Sequence, residues 1–290
     1  MFTGAAALAA GVSPDDVFDC GHGSVRVGRS IVKDHQSFSA LTFRDILAKS
    51  SNVGAIRLGQ RAGATRLHDT LRRFGFGRST DCGLPGESAG ILRPASEWTP
   101  LSLASISFGQ EVAVTPVQLV AAASAIASGG VLRQPRVVRE VRSAAGSHVP
   151  PVRSARRVMS EADAAVLTAM LLRVVEAGTG RAASVPGYRV AGKTGTAQKI
   201  VDGRYSETAH VASFVGWAPA THPAVACLVI LDEPEGALFH GGDVAAPVFA
   251  AIMRDALRHL RVPPDDQARV IGPDVAAVRP ACAAGEGGHA

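Results

Sequence analysis

The apolar residues of this 290-residue chain change their spacing near residue 187, and this change restricts the fold more than any other feature. Before it, apolar residues recur every three to four positions, as in segments 115–130 and 160–178, which is typical of helices. After it come three short apolar runs separated by turn residues, YRVAGKTGTAQ, HVASFVGWAPA and AVACLVILDEP, spaced like antiparallel strands. The order predicts an α/β (α+β) protein in which a helical part precedes one antiparallel sheet, with PVFAAIMRDALRHL as a closing helix.

Local signals refine the helical part. Capping residues predict helix starts at Thr42, Thr115 and Ser160, and SVRVGRSIVK at 24–33 predicts a short hairpin around Gly28. Residues 76–100 are rich in Gly, Pro and Ser, which indicates a surface loop. From Val262 onward no periodicity remains, so residues 1–262 are expected to form one domain and residues 263–290 a disordered tail.

Composition excludes several function classes. The net charge of +5 comes from 26 arginines and 4 lysines against 25 acidic residues, but no arginine cluster is interleaved with aromatics, so no nucleic-acid partner is expected. The four cysteines are far apart and no C-x-x-C occurs, so neither a zinc site nor a disulfide framework is expected. We also expect no other metal and no cofactor. The opening MFTGAAALAAGV is too short to cross a bilayer, and we expect no signal or anchor within this chain.

The stretch VAGKTGTAQK at 190–199 permits two interpretations. From Gly187 it satisfies G-x-x-x-x-G-K-[ST], the phosphate-binding loop of ATPases. That loop needs a buried strand before its first glycine and a helix starting at the lysine. Here EAGTGRAASVP precedes Gly187, and the β-branched Thr-Gly-Thr after Lys193 favours extension over a helix. A phosphate-loop ATPase is therefore the disfavoured alternative.

Read forwards, Lys193-Thr194-Gly195 is the K-T-G of serine enzymes that attack penicillin or D-alanyl peptides. On an edge strand, the Lys193 ammonium and the hydroxyls of Thr194 and Thr196 would line a groove for a substrate carboxylate, while Gly195 would let substrate lie against the strand. Upstream, Ser50-Ser51-Asn52 supplies an S-x-N between two predicted helices. The alternative for these residues is that they simply cap the helix that follows.

Consecutive segments of the chain resemble class B penicillin-binding proteins, the D,D-transpeptidases that cross-link peptidoglycan. The resemblance extends from Phe2 to about His259, and its segments are AKSSNVGAIRLG, FGFGRSTDCGLPGE, GQEVAVTPVQLVAAASAIASGG, GTGRAASVPGYRVAGKTGTAQ and ASFVGWAPATHPAVACLVILDEP. It implies the penicillin-binding transpeptidase or serine β-lactamase-like fold. In that fold an antiparallel five-stranded sheet lies between helices, with a helical subdomain beside it and the active site in the cleft between them.

The resemblance also implies roles for individual residues. Ser50 would relay a proton to the leaving nitrogen, and Asn52 would hold the amide of the donor peptide. Lys193, Thr194 and Thr196 would bind the terminal carboxylate of a D-Ala-D-Ala stem peptide or of a β-lactam. The backbone amide of Thr196 would supply half of the oxyanion hole. A membrane-embedded glycan polymerase is the partner that the family implies, at the outer face of the cytoplasmic membrane.

One family motif is missing. The nucleophile belongs to an S-x-x-K at a helix start, and the segment that follows this motif in the family resembles FTGAAALAAGV, so we expect the nucleophile just before Met1 and the fold to be incomplete at its N-terminus. The single S-x-x-K present, Ser30-Ile-Val-Lys33, lies in the predicted hairpin, where serine and lysine would not share one face. A wrongly placed start, a split gene and a degenerate protein each explain the loss, and we favour the first. Whether this chain alone is an enzyme stays open, and the alternative is a non-catalytic module that binds stem peptides or a cell-wall partner.

Overall fold

The computed structural model describes residues 1–265 apart from residues 145, 152 and 154, and gives no side-chain placement for residue 207. The helices of this part are α1 (Phe2–Leu8), α2 (Phe43–Lys49), α3 (Asn52–Ala62), α4 (Ala64–Arg73), α5 (Pro100–Phe108), α6 (Pro116–Ala127), α7 (Glu161–Ala177) and α8 (Gly241–His259). The strands are β1 (Val17–Asp19), β2 (Ser24–Val27), β3 (Ser30–Lys33), β4 (Ala40–Thr42), β5 (Val131–Leu132), β6 (Val141–Ser143), β7 (Gly146–His148), β8 (Arg156–Arg157), β9 (Ala191–Val201), β10 (Arg204–Ala218) and β11 (Val225–Asp232). The predicted tail lies outside the described residues from residue 266 onward.

The predicted helix starts are confirmed by their caps. The Thr42 hydroxyl accepts from the Asp45 amide at the start of α2, and the Ser160 hydroxyl accepts from the Asp163 amide at the start of α7. At the start of α6, Thr115 and Gln118 form a reciprocal capping box. Each such cap satisfies amides that the first helical turn leaves unpaired and contributes about 1 kcal/mol.

The predicted hairpin at 24–33 is also confirmed. Strands β2 and β3 pair antiparallel from Ser24 opposite Lys33 to Val27 opposite Ser30, and Gly28 in the connecting turn has a φ of 59°. This backbone conformation costs a glycine little and most other residues more.

The main sheet is antiparallel, in the order β11-β10-β9, with β10 in the centre. Alternate residues of β10 face opposite sides. Val215 and Trp217 join a core with α1, α2, α6 and α7, while Phe214 and Ala218 join a second core with α8. The Phe214 and Phe249 rings lie 4.6 Å apart between their centroids. The sheet is therefore sandwiched between the helical part and α8, as the fold prediction requires.

The number of strands differs from the prediction of five. Within the described residues the main sheet has three strands, and the strands before residue 191 have two to four residues and form separate two-stranded ribbons. The five-stranded count was implied by the family resemblance, whereas the described strands before residue 191 pair with one another and none of them joins the main sheet. No helix of the described chain is long and apolar enough to span a membrane.

Candidate active site

Lys193 lies on β9, which is an edge of the main sheet. It pairs with Val215 of β10, and the strand continues through Lys193 to Val201, so no helix begins at this lysine. A phosphate-binding loop needs a helix N-terminus there to face the anion. The ATPase alternative is therefore wrong.

Ser50 and Asn52 flank the junction between α2 and α3. Ser50 ends α2 in the left-handed conformation, with φ 57° and ψ 42°, and Ser51 caps α3 by accepting from the Gly54 amide at 2.8 Å. The predicted alternative, in which this motif caps a helix, thus applies to its middle residue alone. Because Ser51 takes the capping role, the side chains of Ser50 and Asn52 remain available for other contacts.

The structure brings Ser50 and Lys193 together. The Lys193 ammonium donates to the Ser50 hydroxyl at 2.7 Å, to the Thr194 carbonyl at 3.0 Å and to the Thr194 hydroxyl at 3.2 Å. Burial lowers the pKa of Lys193 to about 8. No carboxylate of the described chain forms an ion pair with Lys193 that would offset this effect. A partly desolvated cation beside a hydroxyl can hold a carboxylate and can exchange a proton through that hydroxyl.

Asn52 is held by a hydrogen bond to strand β3 of the β2–β3 hairpin. Its Nδ2 donates to the Lys33 carbonyl at 3.0 Å, and no partner of its Oδ1 is found among the described residues. That oxygen is available to accept from a peptide amide. The arrangement agrees with the expected role of Asn52, which stays a prediction.

Asp34 is a site residue that the sequence analysis missed. Its carboxylate accepts from the Ser51 hydroxyl at 2.6 Å, from the Asn52 amide at 2.5 Å and from the Val53 amide at 3.0 Å. It thereby fixes the start of α3, where its negative charge also interacts favourably with the helix dipole. Asp34 is a positioning residue, because it acts on the motif and not on a substrate. Its separation of 17 to 19 residues from these partners gives no local sequence signal.

The hydroxyls of Thr194 and Thr196 are already engaged. The Thr194 hydroxyl lies 2.8 Å from that of Thr179, which the sequence analysis also missed, and the Thr196 hydroxyl accepts from the Gly241 amide at 3.0 Å. Since side chains alternate along a strand, the side chains of both threonines project from the face of β9 opposite that of Lys193. Thr194 still reaches the ammonium, whereas Thr196 lies against the start of α8.

Packing against β10 also requires a glycine at position 195, in addition to the predicted need to let substrate lie against the strand. A β-carbon at this position would lie 2.5 Å from the Ser213 hydroxyl of β10. The neighbouring strand therefore leaves no room for a side chain here. No described contact tests the expected role of Gly195 towards substrate.

Ser30 and Lys33 cannot replace the missing motif. Both lie on β3, three residues apart, so their side chains point to opposite faces of the ribbon. By contrast, α1 begins beside the Ser50–Lys193 pair. Met1, the first residue of the described chain, lies close enough to Lys193 to be affected by its charge.

A comparison with protein families matches residues 1–254 to the family described as penicillin binding protein transpeptidase domain. The chain belongs to this transpeptidase family. The resemblance inferred from the motifs is thereby confirmed.

Curated relatives within the penicillin-binding transpeptidase family support the assignment. Stage V sporulation protein D of Bacillus subtilis is 41% identical over 254 residues, which is 86% of this chain and 39% of the relative. Peptidoglycan D,D-transpeptidase FtsI of Escherichia coli is 36% identical over 241 residues, which is 83% of this chain and 40% of the relative. The chain thus spans about two fifths of the length of these relatives.

Solved structures confirm the transpeptidase fold. The transpeptidase domain of penicillin-binding protein 3 from Burkholderia pseudomallei has a TM-score of 0.81 at 36% identity, covering 91% of this chain and 78% of that one. Penicillin-binding protein 3 from Mycobacterium tuberculosis, in complex with aztreonam, has a TM-score of 0.83 at 35% identity, covering 91% and 62%. The latter relative therefore binds a β-lactam.

Proposed function

We propose that this chain is the stem-peptide-binding part of a peptidoglycan D,D-transpeptidase. The observation that carries the proposal is the contact between the Lys193 ammonium and the Ser50 hydroxyl, made across the cleft between β9 and the end of α2. The family assignment and the β-lactam complexes of relatives support it. The substrates are D-Ala-D-Ala stem peptides and, as their mimics, β-lactams.

Each site residue has a role in this proposal. The Lys193 cation and the Thr194 hydroxyl bind the terminal carboxylate, and the Asn52 carboxamide accepts from the amide of the donor peptide. Thr196 contributes its backbone amide to the oxyanion hole, where one donor typically contributes a factor of about 10²–10³ in rate. Asp34 holds Ser51 and Asn52 in place through the hydrogen bonds described above.

In this reaction the acylating serine belongs to the S-x-x-K that the family resemblance implies, a motif that no helix of the described chain carries. Its hydroxyl gives its proton to the lysine of the same motif, its oxygen attacks the carbonyl carbon of the penultimate D-alanine, a C–O bond forms, and the C–N bond to the terminal D-alanine breaks. The departing nitrogen takes its proton through the Ser50 hydroxyl, which Lys193 orients. An amine of a second stem peptide then attacks the ester, forming the cross-link and releasing the serine.

Labelling with a fluorescent penicillin tests the enzyme proposal. The chain as given should not be labelled covalently, whereas a chain extended upstream through S-x-x-K should be. Changing the serine of that motif to alanine should abolish labelling, and Lys193→Ala should reduce its rate at least tenfold. If the extended chain stays unlabelled, the enzyme proposal is wrong.

A non-catalytic binding module is the second candidate function. It is supported by the contact between Lys193 and Ser50 in a described chain whose helices carry no S-x-x-K. Saturable, non-covalent binding of a D-Ala-D-Ala peptide that is lost in Lys193→Ala would support it. Such binding without labelling of the extended chain would select this function over the enzyme.

The cellular setting is part of the same proposal. We place the domain at the outer face of the cytoplasmic membrane, where peptidoglycan is cross-linked, with a membrane-embedded glycan polymerase as partner. The relatives support a role in cell-wall synthesis, since E. coli FtsI is named a peptidoglycan D,D-transpeptidase. Crosslinking of the extended chain to the polymerase in membranes tests the partner.

A further inference from the structure

A cavity of about 640 Å³ opens beside α4 and shares no residue with the Ser50–Lys193 pair. Its charged lining comes from three separate elements, namely α4, the turn that follows α4, and β8. The charged side chains of the lining are Arg66, Asp69, Arg72, Arg73, Arg78 and Arg156. Five guanidinium groups against one carboxylate leave a formal charge of +4 in this arginine cavity.

The single carboxylate does not neutralise these cations. Asp69 lies 3.3 Å from the His68 ring nitrogen and forms no ion pair with the five arginines in the part of the chain that the structure describes. Within the same part, the side chains of Arg73, Arg78 and Arg156 have neither a hydrogen bond nor an ion pair. Three guanidinium groups thus keep their donors free around one cavity.

Stabilisation of the helix end explains only part of the cluster. Basic residues in the last turn of a helix interact favourably with its dipole, which explains why Arg72 and Arg73 lie at the end of α4. It does not account for Arg66 in the first turn, for Arg78 beyond the helix, or for Arg156 on another element. The convergence of these arginines therefore needs another explanation.

Arg72 shows that the positive charge is uncompensated. Its guanidinium is fixed by donating to the Gly77 carbonyl at 2.8 Å and to the Phe76 carbonyl at 3.3 Å. Burial lowers the pKa of Arg72, and the nearby charge of Arg78 lowers it further. An anion in the cavity would relieve this repulsion.

We propose that the arginine cavity is a binding site for phosphate groups, presented either by a soluble polyphosphate or by the headgroup of an anionic lipid. A guanidinium presents its donors in a planar fork that matches phosphate oxygens, which is why arginine predominates in such sites. The volume falls within the range of ordinary ligand pockets, about 300–1,000 Å³, and can hold more than one phosphate. The site is independent of the proposed transpeptidase function.

The test uses the full chain with two double variants of equal charge. Arg73→Gln with Arg78→Gln removes two free cations from the cavity and spares Arg72, which supports the local backbone. Arg254→Gln with Arg258→Gln is the matched control, because both residues are exposed on α8 and Arg258 also lies in a last helical turn. Exposed substitutions of this kind change stability by about 0.5 kcal/mol or less, so both proteins should fold.

Binding is measured by calorimetry with tripolyphosphate, and by sedimentation with phosphatidylglycerol vesicles against phosphatidylcholine vesicles, all at 0.15 M salt. We expect saturable binding of at least one anionic probe, weakened about tenfold or more by the cavity variant and less than about twofold by the control. The probe that binds identifies the source of the phosphate. Absence of binding by both probes, or equal weakening by the two double variants, would overturn the proposal.

Discussion

Ser50 reaches Lys193 because its backbone leaves the helix in a conformation that few non-glycine residues adopt. The left-handed φ of 57° turns the hydroxyl away from α2 and towards the sheet edge. Such a conformation costs about 1–2 kcal/mol for an ordinary residue. The hydrogen bonds that fix the next three residues hold it in place, and most of them end on Asp34.

Replacing Asp34 by alanine should therefore destabilise the protein. The change leaves one buried hydroxyl and two helix-start amides without their acceptor, and we expect a loss of about 1–3 kcal/mol in the free energy of unfolding. Urea denaturation measures this loss. Asp15→Ala is the control, since its carboxylate forms an exposed ion pair with Arg44 that contributes about 0–1 kcal/mol. Equal losses in the two variants would show that Asp34 does not organise the motif.

Lys193 should make stability depend on pH in a defined direction. Since burial lowers its pKa to about 8, the unfolded chain binds more protons than the folded chain between pH 8 and the ordinary lysine pKa, and stability rises with pH across that interval. Lys193→Met removes this half-buried cation, and at pH 6.5 we expect it to stabilise the protein by about 1 kcal/mol after its lost hydrogen bonds are counted. This advantage should shrink from pH 8 to pH 10.

The control for this pH series is Lys199→Met. Ion pairs with Glu233 and Asp232 raise the pKa of Lys199, so its contribution to stability is present at neutral pH and is lost only at high pH. The difference in unfolding free energy between variant and parent, measured by urea denaturation, should thus shrink from pH 8 to pH 10 for Lys193→Met and stay constant over the same interval for Lys199→Met. Parallel curves for the two variants would contradict the assigned burial of Lys193.

The sequence indicates Ser50, Asn52 and Lys193 because each belongs to a short motif whose chemistry is known. It gives no indication of Asp34 and Thr179, whose partners lie 15 to 19 residues away or on another element. Their contacts arise only when the β3 ribbon and the end of α7 pack beside the motifs. Sequence reasoning therefore finds reactive groups more readily than the residues that position them.

At the scale of elements, β9 has different neighbours on its two faces. Lys193 faces the end of α2, while Thr196 contacts the start of α8 and Gly195 lies directly against β10. The two faces and the paired edge of β9 are therefore constrained by three different neighbours.

A double-mutant cycle tests the packing at Gly195. Gly195→Ala places a methyl group 2.5 Å from the Ser213 hydroxyl, and we expect it to destabilise the protein by about 1–3 kcal/mol. In a Ser213→Ala background the hydroxyl is gone and the next contact is the β-carbon at 3.9 Å, so the same change should cost less than about 0.5 kcal/mol. Thermal denaturation of the four proteins measures the coupling. Additive effects would show that the contact does not constrain β9.

Element types could be predicted from the sequence, and the size of the main sheet could not. The capped starts at Thr42, Thr115 and Ser160 depend on neighbours in sequence, and all three are where the pattern predicted them. The five-stranded sheet came from the family resemblance, whereas the described residues supply three strands. Strand number depends on which segments pair over long distances, and apolar spacing records only which residues can be buried.

At the scale of the whole molecule, the central strand β10 belongs to two cores at once. Val215 and Trp217 pack into the helical part, and Phe214 packs against Phe249 of α8. Because one strand carries both sets of contacts, neither core can open without disturbing the other. The molecule should therefore unfold in one step although its two cores have separate residues.

Phe249→Ala tests this coupling. The buried ring lies in the α8 core, and its loss should cost about 3–5 kcal/mol through the cavity it leaves. Both tryptophans, Trp98 and Trp217, pack with the other core, so their fluorescence reports on the helical part. If β10 couples the cores, the urea midpoint seen by fluorescence should fall together with that seen by far-UV circular dichroism. Val248→Ala, at an exposed position of α8, should move neither midpoint appreciably. The contrary outcome is a fluorescence midpoint that stays at its parental value while the dichroism midpoint falls. It would mean that the helical part is stable without α8 and that the sheet edge bearing Lys193 does not depend on α8.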